Sequence, residues 1–135
     1  MSYKIISKFI KDISFEIPNV QAFTMLEKEI ANYALNFDIK SSTYKKNIIT
    51  VDTLLKISPT QDVKHKILTE ITCTALVSIE EHFEDKKELE KIILIKIPQA
   101  IYPILYETFV YLFSQAGIKN IEIHKEVDFE KLYNE

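Results

Sequence analysis

The side chains able to do chemistry are few and scattered. Three histidines, His65, His82 and His124, stand far apart, and none has the H-x-x-x-H type of spacing that gathers imidazoles around a metal. The single cysteine, Cys73, sits in an alternating apolar run. A thiol there packs rather than reacts, because a reactive thiolate needs an electropositive, partly open setting. One glycine in the whole chain leaves no glycine-rich loop to cradle a phosphate. Asp12 and Glu16 stand out instead. They lie four residues apart in Phe9–Asn19, where apolar and polar side chains alternate, so both carboxylates share the wet face of a strand and can meet one partner. That face either binds something or is merely solvated. No catalytic constellation emerges.

The elements that must position these residues follow from hydrophobic period. A first strand runs from Tyr3 to Ile17, with Phe9, Ile13, Phe15 and Ile17 on one face, and Ile10, Asp12, Ser14 and Glu16 on the other. Pro18-Asn19 stops it. Residues 18–31 carry Phe23, Met25 and Leu26 and are long for a hairpin loop; they hold a short helix or cross over the sheet. Alternation returns at Tyr33 to Ile39, the polar stretch Ser41 to Asn47 supplies a turn, and Ile49 to Ile57 forms a third strand. After the turn signal at Ser58–Asp62, a fourth strand puts Ile67, Ile71, Cys73, Ala75 and Val77 on one face and Glu70, Thr72 and Thr74 on the other. Four strands with mostly polar turns read as an antiparallel meander.

Beyond residue 80 the period becomes helical. Glu80, Glu81, Glu84 and Asp85 suit the positive end of a helix that Pro98 would end. Residues 99–116 form a longer helix with Ile101, Leu105, Phe109 and Leu112 in line, Tyr102, Tyr106 and Phe113 beside them, and Pro103 in its first turn or so. Gly117 marks the stop. This helix is apolar over more than one narrow stripe. The surplus is either ordinary core or the seat of another subunit.

Composition fits one domain spanning residues 1–135. The chain is 47% apolar and 27% charged with a net charge of −3, which is globular and lacks the clustered Lys and Arg of a nucleic-acid footprint. The interrupted N-terminus suggests neither a secretory signal nor a membrane span, and one cysteine suits a reducing, cytoplasmic compartment.

Three stretches carry a resemblance to the SecB protein-export chaperones: Lys11-Asp12-Ile13-Ser14-Phe15-Glu16 with Pro18-Asn19; Pro98-Gln99-Ala100-Ile101-Tyr102-Pro103-Ile104-Leu105-Tyr106-Glu107; and Val127-Asp128-Phe129-Glu130-Lys131-Leu132-Tyr133. The order of elements agrees over about the whole chain. The resemblance implies an α+β fold with a four-stranded antiparallel sheet, a connecting helix and a long C-terminal helix packed on one face. It also implies a dimer of dimers, paired edge to edge and stacked helix against helix. It implies a cytoplasmic, ATP-independent holdase with no cofactor, which binds unfolded preproteins and delivers them to the SecA motor. Residue by residue, the motor-facing surface falls on Asp12, Glu16, Leu68 and Glu70. The client groove falls on Phe23, Met25, Leu26 and Tyr33, with Tyr102 and Tyr106.

The chain also departs from the family's pattern. The arginine of the main-helix motif is Tyr106 and its tyrosine is Ile104, a Gly-Gly pair is Thr74-Ala75, the tryptophan common in the crossover loop is absent, and the acidic C-terminal tail is not matched. Two other readings stay open. One is a SecB-like chaperone dedicated to a single client such as an antitoxin. The other is a small-molecule enzyme on a hotdog-like fold, for which Glu107 is the one candidate acid or base.

Overall fold

The computed structural model describes residues 3–29, 33–60, 66–79, 85–118 and 126–134. Strands β1 (Tyr3–Glu16), β2 (Tyr33–Lys45), β3 (Ile48–Pro59) and β4 (Leu68–Ile79) form one antiparallel sheet in the order β1-β4-β3-β2. The meander expectation is therefore corrected: β1 lies beside β4, a Greek-key order. The cause is the segment between β1 and β2. It holds helix α1 (Val20–Glu29), not a tight turn, so nothing forces those two strands to be neighbours. Asn19 starts α1 by accepting the Ala22 N–H at 2.8 Å, and Ala22 and Leu26, one turn apart, enter the core.

The predicted turn at Ser41–Asn47 is also shorter in fact. Strand β2 runs on to Lys45, with Ser41, Ser42 and Thr43 opposite Val51, Thr50 and Ile49. Asn47 makes the turn with φ 65°, a left-handed conformation that asparagine tolerates.

Strand β1 breaks its own alternation. Its register against β4 shifts between Ile5 and Ser7 and again between Ile10 and Asp12. Each extra residue of such a bulge reverses which face the next side chain meets. Residues directly opposite share a face. Phe9 opposite Thr74 therefore lies on the outer face, and Ile10 opposite Cys73 on the inner one, the reverse of the reading from unbroken alternation.

Asp85 caps helix α2 (Lys86–Lys91) by accepting the Lys87 and Glu88 N–H groups at 3.0 and 3.3 Å. A π-helical turn (Ile92–Lys96) then passes directly into α3 (Ile97–Gln115). Pro98 does not end the helix, contrary to expectation. The Ile97 N–H reaches back five residues to the Ile92 carbonyl, so the ladder is already widened where proline lacks a donor. Pro103 lies inside α3. Gly117, with φ 87°, closes α3 as its N–H bonds the Ser114 carbonyl at 3.1 Å while Ile118 N–H bonds the Phe113 carbonyl at 2.9 Å, a Schellman ending. A last short helix, α4, spans Phe129–Tyr133.

Helix α3 covers the inner face of the sheet. Ile97, Ile101, Leu105, Phe109 and Phe113, four residues apart, are fully buried, as are Val51, Leu55, Ile71, Cys73, Ala75 and Val77. Phe113 meets Phe109 at 4.2 Å and Phe15 at 5.1 Å between ring centroids, both edge-on. The helical run Lys86–Gln115 is long and apolar enough to cross a membrane by length and composition, with a window of mean hydropathy 1.2 that is 39% buried. Here that apolarity packs on the sheet along one stripe, and part of it is left uncovered among the described residues.

Candidate functional site

The outer face of the sheet collects the charges. Glu16 lies opposite Leu68, Ser14 opposite Glu70, and Asp12 opposite Thr72. Asp12, Glu16, Leu68 and Glu70 thus form one contiguous patch on β1 and β4, with Glu70 diagonal to both other acids at roughly 7–8 Å. Asp12 and Glu16 are exposed and Leu68 is 46% exposed. The structure brings all four predicted residues together.

The lysines woven into this face were not anticipated. Lys56 Nζ stands 3.4 Å from Glu70, Lys11 Nζ 3.0 Å from Asp52, and Lys40 Nζ 3.8 Å from Asp38. Thr74 Oγ1 donates to Asp52 at 2.7 Å. Asp12 opens onto a cleft of about 420 Å³ shared with Lys11, Asp38, Lys40 and Asp52. Solvated pairs like these contribute little stability, so their consequence is pattern: a partner meets acid and base in alternation. Only the register reveals this, because the lysines come from three different strands.

The six predicted groove residues differ in how open they are, Leu26 and Tyr102 being buried and Phe23, Met25, Tyr33 and Tyr106 half-buried. Phe23 packs against Gly117, with half-buried Met25 and the 2% exposed Leu26 on the same helix. Tyr102 lies in the N-terminal part of α3, roughly 20 Å from Gly117 at 1.5 Å rise per residue. Its ring is 2% exposed and packs edge-on to Phe37 at 5.8 Å and Phe129 at 6.1 Å, with half-buried Tyr106 at 6.2 Å. Tyr33 is tied to the strand end, its hydroxyl accepting the Ile67 N–H at 3.3 Å. Leu26 and Tyr102 are thus both buried, and Leu26 shares one apolar core cluster with Phe23 and Tyr33.

The region around Tyr102 includes residues that the prediction passed over. Phe37 was legible as part of the apolar row of β2, and Phe129 as part of the C-terminal motif, but nothing in the sequence joins them. Phe37 and Phe129 meet at 5.0 Å. One cleft of about 520 Å³ runs along Leu35, Phe37 and Ile39 of β2 to Leu94 and Leu132. Another of about 700 Å³ opens beside Tyr102, Gln99 and Pro103 toward Glu126 and Asp128. Burial, with Tyr106 adding to it, pushes the Tyr102 hydroxyl up to about 12.

The catalytic candidates among the described residues are one thiol and one carboxylate. Burial raises the Cys73 thiol, against the opposing pull of Lys8, which keeps it protonated. Glu107 is exposed on α3. Among the described residues no group of three or more His, Cys, Asp or Glu is placed to hold a metal. His65, His82 and His124 lie outside the described residues, as do Glu80, Glu81 and Glu84.

Comparison with known proteins points one way. Residues 1–135 match the family model described as preprotein translocase subunit SecB. The chain is 41% identical over 134 residues to the putative protein-export protein SecB of Pelagibacter ubique, covering 99% of this chain and 96% of that one. It is 25% identical over 128 residues to the protein-export protein SecB of Azoarcus sp., covering 94% and 82%. Among solved structures, a Mycobacterium tuberculosis SecB-like chaperone in complex with a ChAD peptide from an antitoxin shares the fold, with a TM-score of 0.65 over 90% of this chain and 89% of that one at 14% identity.

Proposed function

This chain belongs to the SecB family of preprotein-export chaperones, and from that premise we propose that it holds unfolded or partly folded preproteins in the cytoplasm and presents them to the SecA motor through the outer face of its sheet. The observation that carries the motor assignment is the clustering of Asp12, Glu16, Leu68 and Glu70 on a face that no element among the described residues covers. Holding needs no ATP and no metal: apolar surface beside exposed strand backbone suffices for extended chain.

Assembly follows the same logic. Tyr111 is 56% exposed on α3, and Ile6 and Ile13 are half exposed on the edge strand β1. A helix-to-helix stack would cover the first, and edge-to-edge pairing the second. The proposed dimer of dimers predicts a light-scattering mass near four chains of 15.8 kDa; a stable single chain would end it. A chaperone dedicated to one client is favoured by the burial of Leu26 and Tyr102, which narrows what can be held. Affinity capture separates the two, since one dominant partner supports dedication and many support general export.

The motor assignment is tested by Asp12→Lys combined with Glu70→Lys. Two reversed surface charges, at about 1 kcal/mol each, should weaken SecA binding by at least about tenfold. Suppression of client aggregation should stay unchanged. SecA affinity equal to wild type would show that the motor docks elsewhere.

A further inference from the structure

We propose that Asp52 is a positioning residue for the motor-facing patch: it draws the Lys11 ammonium away from Asp12 and so leaves the Asp12 carboxylate open to a cationic partner. The proposal rests on the motor reading above and adds a residue outside the four named there.

Lys11 is where β1 departs from its own alternation. The register against β4 passes from Ile10 opposite Cys73 to Asp12 opposite Thr72, so Lys11 is the extra residue of a bulge. An unbroken strand would turn Lys11 and Asp12 to opposite faces. The bulge sets both on the outer face, where they line one cleft of about 420 Å³. The irregularity that turns Asp12 outward therefore also places a cation next to it in the chain. A contact between the two would neutralise the carboxylate that a basic partner has to find.

Asp52 removes that competition. Both of its carboxylate oxygens are engaged: Oδ2 lies 3.0 Å from Lys11 Nζ, and Oδ1 accepts the Thr74 hydroxyl at 2.7 Å. Thr74 is 4% exposed and stands in β4 directly opposite both Phe9 of β1 and Asp52 of β3. It fixes the carboxylate from a buried position and leaves Oδ2 to the lysine. Lys11 crosses the width of β4 to reach it. Among the described residues no cation stands within ion-pair distance of Asp12 or Glu16, whereas Asp38 and Glu70 are met by Lys40 and Lys56. Asp12 is thus the acid that a released Lys11 would find, because Asp38 carries its own lysine and lies on β2, three strands from β1.

Four full-chain proteins test this by titration against SecA: wild type, Asp52→Asn, Lys11→Met and the double variant. Physiological ionic strength is used. There the charge of Asp52, roughly 10 Å from Asp12 across two strand spacings, acts on a partner at Asp12 only weakly. Asparagine still accepts the Thr74 hydroxyl but no longer holds Lys11 by charge. Asp52→Asn should weaken SecA binding about threefold, a factor within the range of one exposed ion pair. Lys11→Met should bind at least as tightly as wild type. Adding Asp52→Asn to Lys11→Met should change nothing further, since no ammonium is left to position. Equal losses from Asp52→Asn in both backgrounds would mean that Asp52 meets the motor itself or acts through the fold, and would overturn the proposal. Wild-type affinity in Asp52→Asn alone also overturns it and leaves the motor reading standing. Wild-type affinity in Asp12→Lys combined with Glu70→Lys removes the motor reading and the proposal together.

Discussion

The two faces of the sheet treat the same residue type in opposite ways. Thr74 on the outer face and Thr53 on the inner face stand in neighbouring strands, and both are buried. Thr74 donates its hydroxyl to Asp52, which also holds Lys11. Among the described residues the Thr53 hydroxyl has no hydrogen-bond partner, nor does that of Thr69 on the same inner face. The outer face satisfies its polar groups locally and keeps its charges available. The inner face is so given over to apolar packing that two hydroxyls are left stranded. One face can therefore recognise a partner by charge, while the other holds the fold together.

The largest effect belongs to the inner face. Phe109 is fully buried and stacks edge-on with Phe113 at 4.2 Å. Phe109→Ala should cost about 3–5 kcal/mol, a large part of a typical domain's stability, read as a fall in the urea midpoint. Leu54→Ala on the outer face, where the side chain is only half-buried, should cost under about 1 kcal/mol. Similar losses at the two sites would mean that the outer face is also core.

The next effect separates the faces by pH. The Tyr102 hydroxyl is raised from 10.0 to about 12, first by burial and then by Tyr106. The folded chain keeps a proton that the unfolded chain releases, so this contribution is complete below about pH 10 and is lost as pH climbs through about 12. The loss is on the order of 2 kcal/mol. Tyr102→Phe should remove that part of the alkaline fall. Tyr44→Phe, at an exposed position near the tip of β2, should leave it in place. Urea titrations at stepped pH compare the three proteins.

These contrasts were partly written in the sequence. Alternation in β4 placed Glu70 and Thr72 outward and Cys73 inward, and the row Ile101, Leu105, Phe109 marked the buried stripe of α3. In β1 the same rule failed for Phe9 and Ile10, because a bulge inserts a residue without leaving a local compositional mark. The strand order was hidden because pairing of β1 with β4 depends on how α1 crosses the sheet. Pro98 looked like a stop because a π turn that absorbs a proline has no strong signature of its own. The acidic patch was legible as a list of residues. Its lysine partners and the Phe37–Phe129–Tyr102 box were not, since each joins residues far apart in the chain.

The smallest effect is the sharpest, because one substitution should change sign between neighbouring strands. Thr53→Val keeps the shape of the side chain and removes a buried hydroxyl that bonds to nothing among the described residues. A desolvated, unmade hydrogen bond costs stability, so its deletion should raise the unfolding free energy by about 1 kcal/mol. Thr74→Val keeps the shape equally well but takes a donor from Asp52. Lys11 remains 3.0 Å from that carboxylate, which limits the damage to about 1 kcal/mol in the opposite direction. Paired urea titrations resolve a difference of that size. Loss of stability at both positions would mean that the Thr53 hydroxyl is satisfied after all, and the inner face would then differ from the outer one in charge alone, not in whether it leaves polar groups unpaired.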